Sequence, residues 1–510
     1  MYENNPFPPL SLEDTKLISS HPITRSLRGF IGPSQLPDII HHIFQGRLPS
    51  HTLRILFAGA GTGTSTILLS NQLRTQNISF EAVHFDLSQT SVNIAKKRAD
   101  ISLHSNIRFI QGSLLNAKDI QRLQDLEPKP FDYIDCVGML MATVDPTQTL
   151  KNLGQLLTQD GGIGVMVYAT YGRAPIYQVR RTMQLLSKNK SQKEQLQILR
   201  KILYDDSNFW ANHAKLSQHA EEYDDISLVD TYLHPIDRSF TVPEIFEMIN
   251  SAELHFASFT VPLLYDPSSI PSGQRGLSSF EIETWTANKM TVAEKYELAE
   301  TMDGTIERHE FYVTKKLLDT RKQKRSVLEV LSTITVLRIS TLYFQQTIIP
   351  MLRELGQLIV PKTEGGHRGR SIRIPADVDK KELIKIAKMI DGKSTSGMLL
   401  VSLKKRSRYL SETKQQCDEL KKQIKALEFL NEMLTHSGYG VILFKYNKVD
   451  VEMDKEQNTW VNMLKKCENK IYVDDIGSGF PLVLVHGYLG SSEMWCNQKD
   501  YFSKFCRVIT

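Results

Sequence analysis

The chain has 510 residues, more than one ordinary core organises, so two to four domains are expected. A hydrophobic fraction of 41% and a charged fraction of 23% exclude general disorder. A formal net charge of +5, carried by scattered Lys and Arg, gives no clear nucleic-acid signal.

Residues 1–50 read as a Pro-bearing leader and a helical cap, with a helix pattern over Leu36–Phe44. The leader lacks the basic start and apolar run of a secretory signal. From 51 to 170, short apolar runs alternate with amphipathic stretches. Strands are expected at Leu53–Ala58, Glu81–Asp86, Ile107–Gln111, Phe131–Val137 and Gly162–Tyr168. Helices are expected at Thr64–Leu73, Ser91–Ala99, Asp119–Leu126 and Pro146–Leu157. Strict alternation implies a parallel sheet covered on both faces by right-handed crossovers. Residues 171–320 read as a mainly helical extension, with helices at Tyr177–Ser187, Glu194–Leu203 and Val242–Asn250.

Residues 321–470 take no family assignment. Val327–Val360 is the most apolar stretch, but Arg338, Gln345, Gln346, Pro350 and Arg353 interrupt it. A mid-bilayer charge costs about 2.5–3.5 kcal/mol, so a buried helix pair is expected there and no membrane span. Glu412–Leu434 reads as one arm of a helical hairpin, and Gly365–Arg370 as a surface loop. Cys136, Cys417, Cys467, Cys496 and Cys506 form no CxxC pair and no Cys/His finger, which favours a reducing compartment, the cytoplasm.

The chemistry concentrates at Gly59-Ala60-Gly61-Thr62-Gly63, between the first strand and its helix. Glycines there free the backbone for positive φ and let a ligand approach a helix N-terminus. Dinucleotide sites want G-x-G-x-x-G, and the third position here is Thr64. The spacing therefore favours S-adenosylmethionine over NAD. Asp86, some 20 residues on, stands where an acid reaches ribose hydroxyls in such folds. It also suits an N-cap for the next helix. His213, His219 and His234 lie near Glu221, Glu222, Asp224 and Asp225, but no HExxH-type spacing makes them metal ligands.

These residues resemble the class I S-adenosylmethionine-dependent methyltransferases of the seven-stranded, doubly wound, Rossmann-like type. Ile55–Gly63 is similar to their first motif, Asp86 with Leu87 to their ribose-side acid, and Gly112-Ser113-Leu114 to the segment bordering adenine. Phe131–Leu140 with Val144-Asp145-Pro146 resembles their fourth strand and loop, and Leu156-Leu157 with Gly161-Gly162 their turn into the fifth. The leader Tyr2-Glu3-Asn4-Asn5-Pro6-Phe7-Pro8 resembles the Tyr-Glu-x-Asn-Pro-aromatic-Pro signature of one subgroup. Arg173–Leu186 and Leu228–Phe240 resemble that subgroup's C-terminal extension. The resemblance covers about residues 1–320 and implies S-adenosylmethionine as cofactor. It implies Gly59, Ala60, Gly61, Thr62, Gly63, Asp86, Leu87, Gly112, Ser113 and Leu114 as the residues holding it. Three positions depart from the pattern: Ser113 replaces an acid, Met141-Ala142 replaces a His pair, and Pro9-Leu10 replaces Arg-Trp. No catalytic base follows from the sequence.

Methyl transfer from a sulfonium is an in-line displacement that depends on alignment. Tyr168, Tyr171, Arg173 and Tyr177, past the fifth strand, are the candidates for the pocket of a small-molecule or protein acceptor. Residues 471–510 resemble the truncated start of an α/β-hydrolase, with His486-Gly487 as its loop. No G-x-S-x-G elbow occurs, so no hydrolase activity is expected. The alternatives are a catalytically silent cofactor-binding module fused to a hydrolase, and an NAD-dependent oxidoreductase.

Overall fold

In the computed structural model the described residues are 2–9, 32–46, 48–102, 104–204, 223–270, 282, 286 and 290–318, with shorter stretches between 333 and 509. Seven strands between Leu53 and Thr314 build one sheet, ordered β3-β2-β1-β4-β5-β7-β6. The strands are β1 (Leu53–Ala58), β2 (Phe80–Asp86), β3 (Ile107–Gln111), β4 (Phe131–Val137), β5 (Leu157–Tyr168), β6 (His255–Phe259) and β7 (Arg308–Thr314). β1 to β5 are parallel, while β7 runs antiparallel to both β5 and β6.

Five helices serve the parallel half: α1 (Leu36–His42), α2 (Thr64–Thr75), α3 (Gln89–Ile101), α4 (Ala117–Leu126) and α5 (Pro146–Gln155), while α6 (Ala174–Leu186) packs with the helices that follow it. Local chemistry sets where several begin. Ser88 and Asp145 accept backbone N–H bonds at the starts of α3 and α5, and Pro146 occupies the first turn, where its missing N–H costs nothing. Beyond them lie α7 (Gln192–Tyr204), α8 (Asp225–Leu228), α9 (Val242–Ser251) and α10 (Val292–Asp303). Thr241 with Glu244, and Thr291 with Glu294, close capping boxes on α9 and α10.

The period-2 alternation of the strands divides the core in two. Leu56, Ala58, Val83, Phe85, Ile134 and Cys136 face one layer, and Ile55, Phe57, Ala82 and Tyr133 the other. The chain winds outward from β1 to β3, then crosses back to β4 on the other side of β1. This reversal opens a crevice at the carboxyl ends of β1 and β4, where ligands of open α/β sheets bind.

The expected α/β architecture is present, and the five expected strands and their helices all form. Two findings extend it. The segment after residue 170 adds β6 and β7 to the same sheet, and β5 begins at Leu157 rather than Gly162. A buried chain of bonds holds the added half in place. Tyr265 donates to His309 Nδ1 (2.8 Å), His309 Nε2 donates to the Phe240 carbonyl (3.0 Å), and Val242 N–H donates to Glu300 (2.9 Å).

One expectation is corrected. Val327–Val360 is not a helix pair: strands β8 (Thr333–Leu337) and β9 (Gln357–Val360) flank helix α11 (Ile349–Leu355). The β-branched run Thr333-Ile334-Thr335-Val336 accounts for β8, because such side chains suit an extended pleat. β8 pairs with β11 (Gly440–Phe444), and β9 with β10 (Arg370–Arg373). Strands Asp475–Ile476, Pro481–Val483 and Arg507–Ile509 form a separate small sheet. Most of Glu412–Leu434, Gly365–Gly369 and His486–Ser491 lie outside the described residues.

Asp135 sits buried on β4, accepting from Ser34 and, more distantly, Tyr133 (3.4 Å). Burial pushes its carboxyl up to about 7. The folded state therefore binds this proton more tightly than the unfolded chain. The associated stability is full below about pH 4 and is lost as pH rises through about 7. Asp135→Asn is expected to stabilise the fold at pH 8 by on the order of 1 kcal/mol and to leave it little changed at pH 4. Thermal unfolding at the two pH values checks this, and equal effects at both would refute it.

Candidate active site

The Gly59–Gly63 loop leaves β1 at the crevice. Gly59, Gly61 and Gly63 all have positive φ (64°, 55° and 88°), conformations open to glycine at little cost. They do different work. A Cβ on Gly63 would come within 2.8 Å of Ala95 Cβ, so this glycine lets α2 and α3 pack closely. A Cβ on Gly61 would run into the Phe7 carbonyl of the leader, and one on Gly59 into the Met139 side chain. Ala60 accepts from Gly63 N–H (3.0 Å) and closes the turn. Arg98, buried beneath, donates to the Thr62 carbonyl (2.8 Å).

Asp86 ends β2, and its two oxygens are shared between two loops. Oδ2 accepts from Gly61 N–H (2.8 Å), and Oδ1 accepts from Ser88 N–H (2.9 Å). Burial raises its pKa, opposed by those two backbone bonds. Ser88, not Asp86, caps α3. Leu87 is 62% exposed beside this turn. Gly112 N–H donates to the Asp86 carbonyl (2.9 Å), which fixes the β3 turn against the β2 turn. Ser113 is half-buried, and its N–H donates to Asp119 (2.9 Å). Leu114 turns into the core, so only its backbone faces outward.

The leader crosses this crevice as a strap, which the residue chemistry had not pointed to. Thr62 N–H donates to the Phe7 carbonyl (3.0 Å) and Thr62 Oγ1 to the Pro8 carbonyl (2.8 Å). The Glu3 carboxylate accepts from Gln89 N–H (2.7 Å), Thr90 N–H (3.1 Å) and Thr90 Oγ1 (2.7 Å) at the start of α3. An anion belongs at that helix end. Tyr2 completes the span. Its carbonyl accepts from Ser88 Oγ (3.2 Å), and its hydroxyl donates to Asp230 (2.9 Å) on the far side. The Tyr-Glu-x-Asn-Pro signature was the available signal for these contacts.

On that far side, Tyr168, Arg173 and Tyr177 come together with Arg180, Asp230, His234 and Asp237. The Arg173 guanidinium lies flat on the Tyr168 ring, 3.5 Å from its centroid. Tyr177 donates to Asp237 (3.4 Å), and Arg180 pairs with the same carboxylate (3.3 Å) while donating to the Thr231 (2.9 Å) and His234 (2.6 Å) carbonyls. Burial pushes Asp230 up to about 6 and His234 down to about 4. Tyr171 stands apart, 41% exposed. Met141 is buried in the core and offers no acid or base. Among the described residues, no group of three or more His, Cys, Asp or Glu is placed to hold a metal ion. His213, His219, Glu221 and Glu222 lie outside them.

Residues 49–226 match the family model of a methyltransferase domain. An uncharacterized protein of Synechococcus sp. is 28% identical over 268 residues, 51% of this chain and 60% of the relative. The chain thus spans three fifths of that relative's length. A non-reducing polyketide synthase of Gibberella zeae is 28% identical over 133 residues, 26% of this chain and 6% of the synthase. The fold is similar to PKMT2 from Rickettsia typhi in complex with AdoHcy, with a TM-score of 0.54 at 16% identity over 81% of this chain and 76% of that one.

The chain's own residues fit an S-adenosylmethionine-type ligand: three of the five loop residues are glycine, and the Asp86 oxygens retain lone pairs beyond their two backbone bonds. If the strap retains the cofactor, Glu3→Gln is expected to speed S-adenosylhomocysteine release several-fold by weakening the grip on α3. Stopped-flow displacement measures this, and an unchanged release rate would show that the strap does not hold the ligand.

Proposed function

We propose that the chain transfers a methyl group from S-adenosylmethionine to a small-molecule or protein acceptor docked beside Tyr168, Tyr171, Arg173 and Tyr177. The observation that carries this reading is Asp86, a buried carboxylate bonded to Gly61 and Ser88 at the crevice mouth. In this reading its remaining lone pairs accept from the ribose hydroxyls. Leu87 offers an apolar face to adenine, bordered by Gly112, Ser113 and the Leu114 backbone. The backbone of Gly59, Ala60, Gly61, Thr62 and Gly63 lies along the remaining part of the cofactor.

When bound, the cofactor supplies a methyl carbon already made electrophilic by its sulfonium. What the protein adds is alignment and exclusion of water. The strap closes one side of the crevice, and the cluster around Tyr168 borders the other. A base is needed only where the acceptor loses a proton as it attacks. Burial pushes the Asp230 carboxyl up to about 6, which makes it the candidate base of this reading.

Among the described residues, no helix is long and apolar enough to cross a membrane. We place the chain in the cytoplasm because its cysteines are few and unpaired in sequence. A silent cofactor-binding module is the second reading, favoured by Met141 and Ala142, which stand where the methyltransferase pattern that the chain resembles has a His pair.

Calorimetry with S-adenosylhomocysteine tests the site. Binding is expected in the wild type, and Asp86→Ala is expected to weaken it by about 1–3 kcal/mol. Unchanged affinity would remove Asp86 from the ribose site. Binding with no label transferred from methyl-labelled S-adenosylmethionine, across small-molecule and protein acceptors, would select the silent module.

A further inference from the structure

Among the described residues, Arg173 is a buried cation beside Tyr168 that keeps two of its donors without a hydrogen-bond partner. Its residue is 9% exposed, and neither Nε nor Nη2 has a hydrogen-bond partner. The backbone that carries it is firmly held. Ala169 N–H donates to Glu307 (3.0 Å), Thr170 N–H to Phe240 (3.1 Å), and Gly172 N–H to Ile306 (3.1 Å), all at carbonyls. The Tyr168 ring supports the flat face of the guanidinium.

Arg180, inside the helix that begins just after Arg173, shows what a satisfied arginine looks like in this cluster. It binds two carbonyls and the Asp237 carboxylate. Asp237 is thereby engaged with Arg180 and Tyr177, and Asp230 with Tyr2. Asp237 and Glu307 are close enough to favour the charged form of Arg173, but neither is hydrogen-bonded to it.

Nε and Nη2 share one edge of the guanidinium. Their two N–H bonds point in parallel, the side-on fork that matches the two oxygens of a carboxylate. A buried charged donor without a partner is costly, and an incoming anion removes that cost. We propose that this edge of Arg173 anchors a carboxylate of the methyl acceptor, making the acceptor an organic acid or a carboxylate-bearing side chain or terminus. The inference rests on the methyltransferase reading above. Arg173 follows β5 and stands among residues of the extension, and the proposal gives the carboxylate to the acceptor rather than to the methionyl end of the cofactor.

The test uses the full chain loaded with S-adenosylhomocysteine, titrated with matched pairs that differ only in charge: phenylacetate against phenylacetamide, and hexanoate against hexanamide. The wild type is expected to bind each acid at least tenfold more tightly than its amide. Arg173→Gln should erase that preference, and Arg173→Lys should keep part of it. Affinity for S-adenosylhomocysteine should stay within twofold throughout. Equal binding of acids and amides by the wild type overturns the proposal, and needs no variant that must fold. So does a preference that survives Arg173→Gln. A loss of S-adenosylhomocysteine affinity in Arg173→Gln, with 5′-methylthioadenosine binding unchanged, overturns it by assigning the edge to the cofactor's own carboxylate. Failure of the wild type to bind S-adenosylhomocysteine would instead sink the methyltransferase reading itself.

Discussion

Two backbone N–H groups from different loops converge on one buried carboxylate, and the geometry of the crevice follows from that convergence. By bonding Gly61 and Ser88 together, Asp86 fixes the distance between the turn after β1 and the turn after β2. The β3 turn is then registered to them through Gly112 and the Asp86 carbonyl. A charged acceptor holding backbone donors in a partly dry site is among the stronger hydrogen bonds a protein makes. The turns after β1, β2 and β3 are therefore fixed relative to one another by the protein's own bonds.

Around that fixed point the protein places two parts of different character. The strap binds through carbonyls and an exposed carboxylate, on the surface of an already formed loop. Its attachments are several, and most are individually weak. The cluster around Tyr168 is the opposite: buried, dense in charge, and organised by helix α6 and the segment that ends at Phe240. Tyr2 belongs to both parts, since its carbonyl meets Ser88 and its hydroxyl meets Asp230. Movement of the strap would therefore be felt on the acceptor side through Tyr2, and in the extension through the Asn5–Gln192 pair.

The parallel half of the sheet was legible because each strand is a short apolar run bounded by glycine or a capping residue. The helix starts expected at Ser91 and Pro146 fall within two residues of the observed ones, Gln89 and Pro146. β6 and β7 were not legible: His255–Phe259 and Arg308–Thr314 mix polar and aromatic residues, and their pairing depends on β5, far away in the chain. The same holds for the apolar run near Thr333, where hydrophobicity was read correctly but its period was not. In the site, the glycine loop was expected to clear space for a ligand. At Gly61 the space is taken by the Phe7 carbonyl, a contact between segments that no local pattern encodes. Arg180 escaped notice for a like reason, since its partners are mostly backbone carbonyls.

The antiparallel seam between β5 and β7 pairs residues 162–168 with 308–314. Until Thr314 has been synthesised, β5 presents an unpaired edge, and an open strand edge invites pairing with other chains. Pairing across such a span also makes closure of the sheet a slow, non-local event. A fragment cut after Tyr168 would keep the whole glycine loop and Asp86 while exposing that edge permanently. For this protein, the smallest soluble unit and the smallest ligand-binding motif are different lengths of chain.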